Sequence, residues 1–264
     1  MLLLKLALTP ALIGLATLVA RRWGPAAGGW LVGLPLTSGP VSFFLASDHG
    51  TGFAVSAARG SLVGGAAEAG FCLGYLALAR AGWPAAVAAG SLGFVAASAA
   101  IQPAAGLVLP AELVVVVAVL GGTLLLVPDG DAGGPATVSP PWDLPARMIV
   151  GVALVLGLTT LAPALGAQAT GILAAFPVYA AVLAGFAHRL EGPAAARSVL
   201  HGLLVGLFAF GAFFAVIEAV LVPLGVGPAF ALAVAAALLV QGATFLVRRA
   251  RGGAAKAAVP VIGT

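Results

Sequence analysis

Five ionisable side chains fall inside long apolar runs: Arg59, Glu68, Glu112, His201 and Glu218. A charge at the centre of a membrane helix costs roughly 2.5–3.5 kcal/mol on insertion scales, so such groups pair or line a polar path. Arg59 and Glu68 are nine residues apart, which at 100° per residue puts them on opposite helix faces. Arg59 is therefore expected to pair with Glu112 or Glu218, which should lie at similar depth, either as a clamp or as a group that gates or attracts anions. Glu68 lines up with Gly60 and Gly64. Small residues at that spacing let helices approach closely, so Glu68 is expected to face another helix. There it would hydrogen-bond across the contact or take up and release protons. His201 is the positional counterpart of Arg59 and reads as packed, solvated or part of a relay.

A second constellation is Leu34-Pro35-Leu36-Thr37-Ser38-Gly39-Pro40. Proline removes a helical hydrogen bond and clashes with the preceding turn. Two prolines five apart, with Thr37, Ser38 and Gly39 between them, should open the helix. Freed backbone groups at membrane depth must face protein or a wet cavity. Phe176-Pro177-Val178-Tyr179 offers a similar break further on. Paired broken helices at matching depths point to a transport site, with Pro35, Thr37, Ser38, Gly39, Pro177 and Tyr179 as its expected contacts. The competing reading is a plain kink filled by neighbouring side chains. Asp48, His49 and His188 read as solvated loop residues, and Gln102, Gln168 and Gln241 as uninformative residues at or near span ends.

Several chemistries are missing. No Gly-rich loop followed by Lys cradles a phosphate, and neither His-Glu-x-x-His nor Gly-x-Ser-x-Gly occurs. Cys72 is the single cysteine, so no internal disulfide and no pair of thiolate zinc ligands can form. No enzyme, metal site or cofactor is expected.

The elements that must position these groups follow from composition. Of 264 residues, 62% are apolar and 8% charged, against about 25% charged in a soluble domain. So few charges cannot cover a soluble surface, and disorder is excluded by the same hydrophobicity. Barrel strands would alternate apolar and polar residues, and runs such as 113–120 do not. The expected fold is an all-α integral membrane protein of about nine spans, at 2–20, 26–47, 51–79, 84–101, 107–127, 145–166, 168–187, 193–224 and 226–247. A polar loop covers 128–144. Arg21 and Arg22 follow the first run, the wrong flank for a cleaved signal. Ten basic residues then fall on one side, from Arg21 and Arg22 to the C-terminal Arg251 and Lys256, against Lys5 alone on the other. The positive-inside rule puts the N-terminus outside and the C-terminus in the cytoplasm. The net charge of +4 therefore reads as topology and does not imply nucleic acid.

The halves also align. Gly29 to Pro35 matches Gly171 to Pro177, His49-Gly50 matches Glu191-Gly192, Arg59-Gly60 matches His201-Gly202, and Trp83-Pro84 parallels Gly227-Pro228. Five helices separate equivalent elements, so the second copy is upside down. The expected plan is a 4+1+4 inverted repeat: residues 1–102, a linker helix and loop over 103–144, and 145–264 with a basic tail.

Each half further resembles the GlpM-type small bacterial inner-membrane proteins of four helices. The resemblance covers about 100 residues per half. It rests on Ala20-Arg21-Arg22, on the Gly-x-Leu-x-Gly-Leu-Pro-Leu stretch from Gly29, and on the corner ending in Gly50, with Arg189, Glu191, Gly192 and Arg197 in the second half. It implies a bacterial inner-membrane location and a duplicated architecture, and it supplies no catalytic residue. The function expected from these features is a secondary transporter or permease for a small solute, with Glu68 as the proton-coupling group. Its partners would be the bilayer, the solute and, at most, a second copy. Alternatives are an accessory protein supporting envelope or exopolysaccharide assembly and, more weakly, an intramembrane enzyme acting on lipid-linked substrates.

Overall fold

Among the described residues, five glycines adopt positive φ: Gly24 (94°), Gly50 (84°), Gly82 (99°), Gly192 (95°) and Gly225 (77°). Each stands directly before a helix with ψ between 161° and 177°, a region open essentially to glycine alone. They set the sharp corners of the chain. A computed structural model describes residues 2–128, 140–161 and 176–257. Gln168, residues 171–175 of the second aligned stretch and 129–139 of the polar loop lie outside the described residues.

Among the described residues the ordered elements are all helical. They are α1 (Leu2–Trp23), α2 (Pro25–Val32), α3 (Ser38–His49), α4 (Thr51–Ala77), α5 (Trp83–Ile101), α6 (Leu109–Leu126), α7 (Asp143–Leu161), α8 (Val178–Glu191), α9 (Pro193–Leu224) and α10 (Val226–Ala257). Prolines at the first helical positions start α2, α5, α6 and α9, where the missing N–H has no intrahelical partner to lose. Among the described residues four segments are long and apolar enough to cross a membrane: Trp83–Gly106, Leu109–Leu126, Pro193–Leu224 and Val226–Val247. Leucines such as Leu92, Leu125 and Leu239 are 73%, 87% and 74% exposed. An apolar exterior of this kind suits lipid.

The core forms around α9, which is 56% buried along its apolar window against 17–22% for the other three. Two glycine contacts bring helix backbones together. On α2 and α9, Gly29 and Gly33 meet Gly202 and Gly206, and a Cβ at any of them would overlap backbone of the other helix. On α4 and α5, Gly70 and Gly74 meet Ala89, Gly90 and Gly93 in the same way. The long helices α4 and α9 cross antiparallel: Arg59 pairs with Glu218, and a Cβ at Gly65 would meet Phe210.

Three sequence expectations are corrected. Asp48 and His49 are the exposed last turn of α3, not loop. His188 is not solvated: it is 8% exposed within α8, and its Nδ1 lies 3.1 Å from the Tyr75 hydroxyl. Gln241 is not a span-end residue. It is 3% exposed and donates to the Trp30 carbonyl at 2.9 Å, while the Trp30 indole donates to Thr244 at 3.0 Å, tying α2 to α10.

Candidate functional site

The site starts from two tight turns. Between α2 and α3, Leu36 N–H donates to the Leu34 carbonyl at 2.8 Å across Pro35, and Gly39 N–H then donates to the Pro35 carbonyl at 2.9 Å. Before α8, Val178 N–H donates to the Phe176 carbonyl at 2.8 Å across Pro177, and Ala181 N–H donates to the Pro177 carbonyl at 2.9 Å. Pro177 has φ −77° and ψ 63°, an inverse γ-turn. Proline fixes the φ this turn requires. The first turn stops α2 and restarts the chain as α3, and the second leads directly into α8.

Packing on each turn is matched as well. Phe176 sits edge-on to Phe71 of α4 and Phe94 of α5, at 6.1 and 5.6 Å between ring centroids. Gly39, just past the first turn, is covered by Phe213 of α9. Each break is therefore backed by an aromatic ring on a long helix.

Both turns open onto one cavity of about 620 Å³. Leu34, Leu36, Thr37 and Ser38 line it from the first break, and Phe176, Pro177 and Tyr179 from the second. From α4 come Ala57, Gly60, Ser61, Gly64 and Glu68, which share one helix face by their spacing. Ser98 and Gln102 add polar groups near the end of α5. Ser98 is 8% exposed and its hydroxyl has no hydrogen-bond partner among the described residues. Neither hydrogen bond nor ion pair engages Glu68 among those residues. Tyr179 reaches across to Thr9 of α1, with 3.4 Å between the hydroxyls.

The expected site residues thus divide. Thr37, Ser38, Glu68, Pro177 and Tyr179 meet at the cavity. Pro35 and Gly39 do not line it but shape the turn that does. The stripe Gly60, Gly64 and Glu68 was expected against another helix; instead it faces the cavity, and a Cβ at Gly60 would meet nothing within 4 Å. Gln102 was read as uninformative, yet it lines the same space.

Arg59, Glu112 and Glu218 gather separately. Arg59 Nε lies 2.8 Å from Glu218 Oε1. This is an ion pair by distance but not an aligned hydrogen bond, because the N–H does not point at the oxygen. Glu112 is 0% exposed and lies near Glu218, and none of the four carboxyl oxygens has a hydrogen-bond partner among the described residues. His201 sits elsewhere, its Nδ1 2.7 Å from the Val127 carbonyl at the end of α6. None of these four lines the cavity.

A further cluster was not singled out in the sequence. Asp143, 0% exposed, accepts from Arg147 Nε at 2.7 Å and from Arg21 at 3.0 Å, and Arg147 stacks over Phe186 at 5.1 Å. It joins α1, α7 and α8. Comparison with protein-family models, curated proteins and solved structures finds no match to this chain.

Proposed function

We propose that the chain is a proton-coupled secondary carrier for a small solute. It crosses a bacterial inner membrane about nine times in a 4+1+4 inverted repeat, N-terminus outside. One observation carries this reading: a single cavity touches both helix breaks and holds a carboxyl with no partner among the described residues. The breaks are alike in sequence and in turn geometry, as two copies of one unit would be. Gly50 and Gly192, and Gly82 and Gly225, repeat the corner conformations at nearly the same offset. With 8 residues in α2 and 12 in α3, the rise gives about 12 and about 18 Å. Together these match a hydrocarbon core of about 30 Å, so the first break falls near mid-depth. Rocking of one repeat against the other would expose the cavity to each side in turn. An accessory protein would be expected to pack this region closed and dry, and an open polar-edged cavity favours the carrier instead.

The test is sidedness. Ser38→Cys, in a Cys72→Ala background, should react with a membrane-impermeant thiol reagent from either face of sealed vesicles. Reaction from one face only, or from neither, would remove alternating access.

A further inference from the structure

The cavity's charge balance names a solute class. Among the described residues Glu68 is its one charged lining residue, and no Lys, Arg or His of those residues lines it. The nearest arginine in sequence, Arg59, is turned away and paired with Glu218. Among the described residues four aromatic side chains line the space, Phe53, Phe176, Tyr179 and Phe210, and aromatic rings can bind cations over their faces. The remaining walls are mostly aliphatic. Space of this size suits a small organic molecule. We infer that the solute is an organic cation, an amine or quaternary ammonium with an apolar body, bound at the Glu68 carboxylate in exchange for its proton.

The exchange balances: the protonated carboxyl releases one H⁺ as the cation arrives, and no bond to carbon is made or broken. Among the described residues the other polar groups that line the cavity are neutral: Ser61 on α4, Thr37 and Ser38 at the first turn, Ser98 on α5 with the nearby Gln102, and Tyr179 on α8, while α1 and α9 give only apolar side chains. On α4 itself, Cys72 lies one turn further on and is fully buried.

The rival is an anion drawn to the N-terminal ends of α3 and α8. Each helix end offers about half an elementary charge, fading within the first turn, against a full charge on Glu68. Much of the donor capacity is already used. Gly39 and Val41 donate to the carbonyls of Pro35 and Thr37, and Val178 and Ala181 to those of Phe176 and Pro177. An anion would also have to share the cavity with Glu68.

This inference rests on the carrier reading of the same cavity. Its test uses the purified full-length protein in weakly buffered detergent, with benzyltrimethylammonium as the cationic probe and phenylacetate as the anionic one. Benzyltrimethylammonium should bind with release of about one proton, and its apparent affinity should fall up to about tenfold per pH unit as acidification protonates Glu68. Glu68→Gln should lose both binding and proton release, while Glu68→Asp should keep them at reduced affinity. Binding of phenylacetate in preference to the cation, equal cation binding by Glu68→Gln, or binding of neither probe would overturn the assignment. The carrier reading would survive those results, because it falls only with the sidedness of the Ser38→Cys reaction.

Discussion

Pro35 and Pro177, 142 positions apart, occupy the same three-residue turn: in each, the residue after proline donates to the carbonyl of the residue before it at 2.8 Å. The likeness extends outward. Four residues past each proline N–H returns to the proline carbonyl, and each turn has an aromatic ring of a long helix against it, Phe213 beside the first and Phe71 beside the second. Phe71 and Phe213 are themselves 142 positions apart. Each long helix thus supports the break that belongs to the other half. A movement of α4 against α9 would be felt at both turns together.

Replacing either proline should therefore cost function before it costs folding. Pro35→Ala or Pro177→Ala restores an N–H and frees φ, loosening the tight turn at the cavity wall. Solute uptake in proteoliposomes should drop by about tenfold or more, roughly 1.4 kcal/mol in the rate-limiting step, with little change in yield or melting temperature. Full uptake by both variants would make the turns dispensable.

The glycine contacts should respond in the opposite sense. A Cβ at Gly29 would overlap the Val199 carbonyl, and one at Gly202 the Ala26 carbonyl. Gly29→Ala and Gly202→Ala should each destabilise by about 1–3 kcal/mol through overpacking, read as a lowered melting temperature in detergent. Gly60→Ala meets no neighbour and should leave stability unchanged within about 0.5 kcal/mol. Unchanged stability in Gly29→Ala and Gly202→Ala would mean that α2 and α9 can move apart freely, and an equal loss in Gly60→Ala would mean that overlap is not the cause.

How much of this was legible depended on whether the cause was local. The breaks were readable because proline acts on its own backbone, whatever surrounds it. Arg59 was narrowed to two acidic partners by helix periodicity and depth, and Glu218 is the one it meets. The stripe of Gly60, Gly64 and Glu68 was misjudged because small residues serve both a close helix contact and an empty space, and only the third dimension separates these. Gly29, Gly33 and Gly202 stood out as parts of the repeat but not, with Gly206, as a helix contact, because in a chain of 37 glycines a spacing of four is common by chance. His188 was assigned to solvent from its place near a helix end, whereas Tyr75 claims it, and Gln102, exposed just past α5, carried no sign that it also lines the cavity. The polar ties that fix the bundle ends, such as Asp143 with Arg21 and Arg147, join residues up to 122 positions apart and leave no periodic signal.

Arg59 should matter through the charge it offsets. Without it, two buried carboxyls face each other unpaired. Arg59→Gln should lower stability, by less than the roughly 3–5 kcal/mol typical of a fully buried pair, since Arg59 is 40% exposed. Adding Glu218→Gln to it should recover most of the loss, because the uncompensated charge is gone. Additive losses in the double variant, measured by thermal unfolding, would show that the two side chains act independently.

His188 gives stability a pH dependence whose sign can be worked out. Its Nδ1 lies 3.1 Å from the Tyr75 hydroxyl, which also reaches the Ala184 carbonyl at 3.1 Å. A chain from His188 N–H to Tyr75 and from Tyr75 to Ala184 satisfies all three with a neutral ring. Burial holds the imidazole below its ordinary 6.5. The unfolded chain therefore takes up this proton at higher pH than the folded one. The contribution is fully present above about 6.5 and is lost as pH falls through the depressed folded value. Melting temperature should decline on acidification below 6.5, and His188→Gln should flatten that part of the profile while losing some stability at neutral pH. Tyr75→Phe should cost about 1 kcal/mol at neutral pH and leave an acid slope, since the buried ring still resists protonation. An unchanged profile in His188→Gln would assign the acid sensitivity to another group.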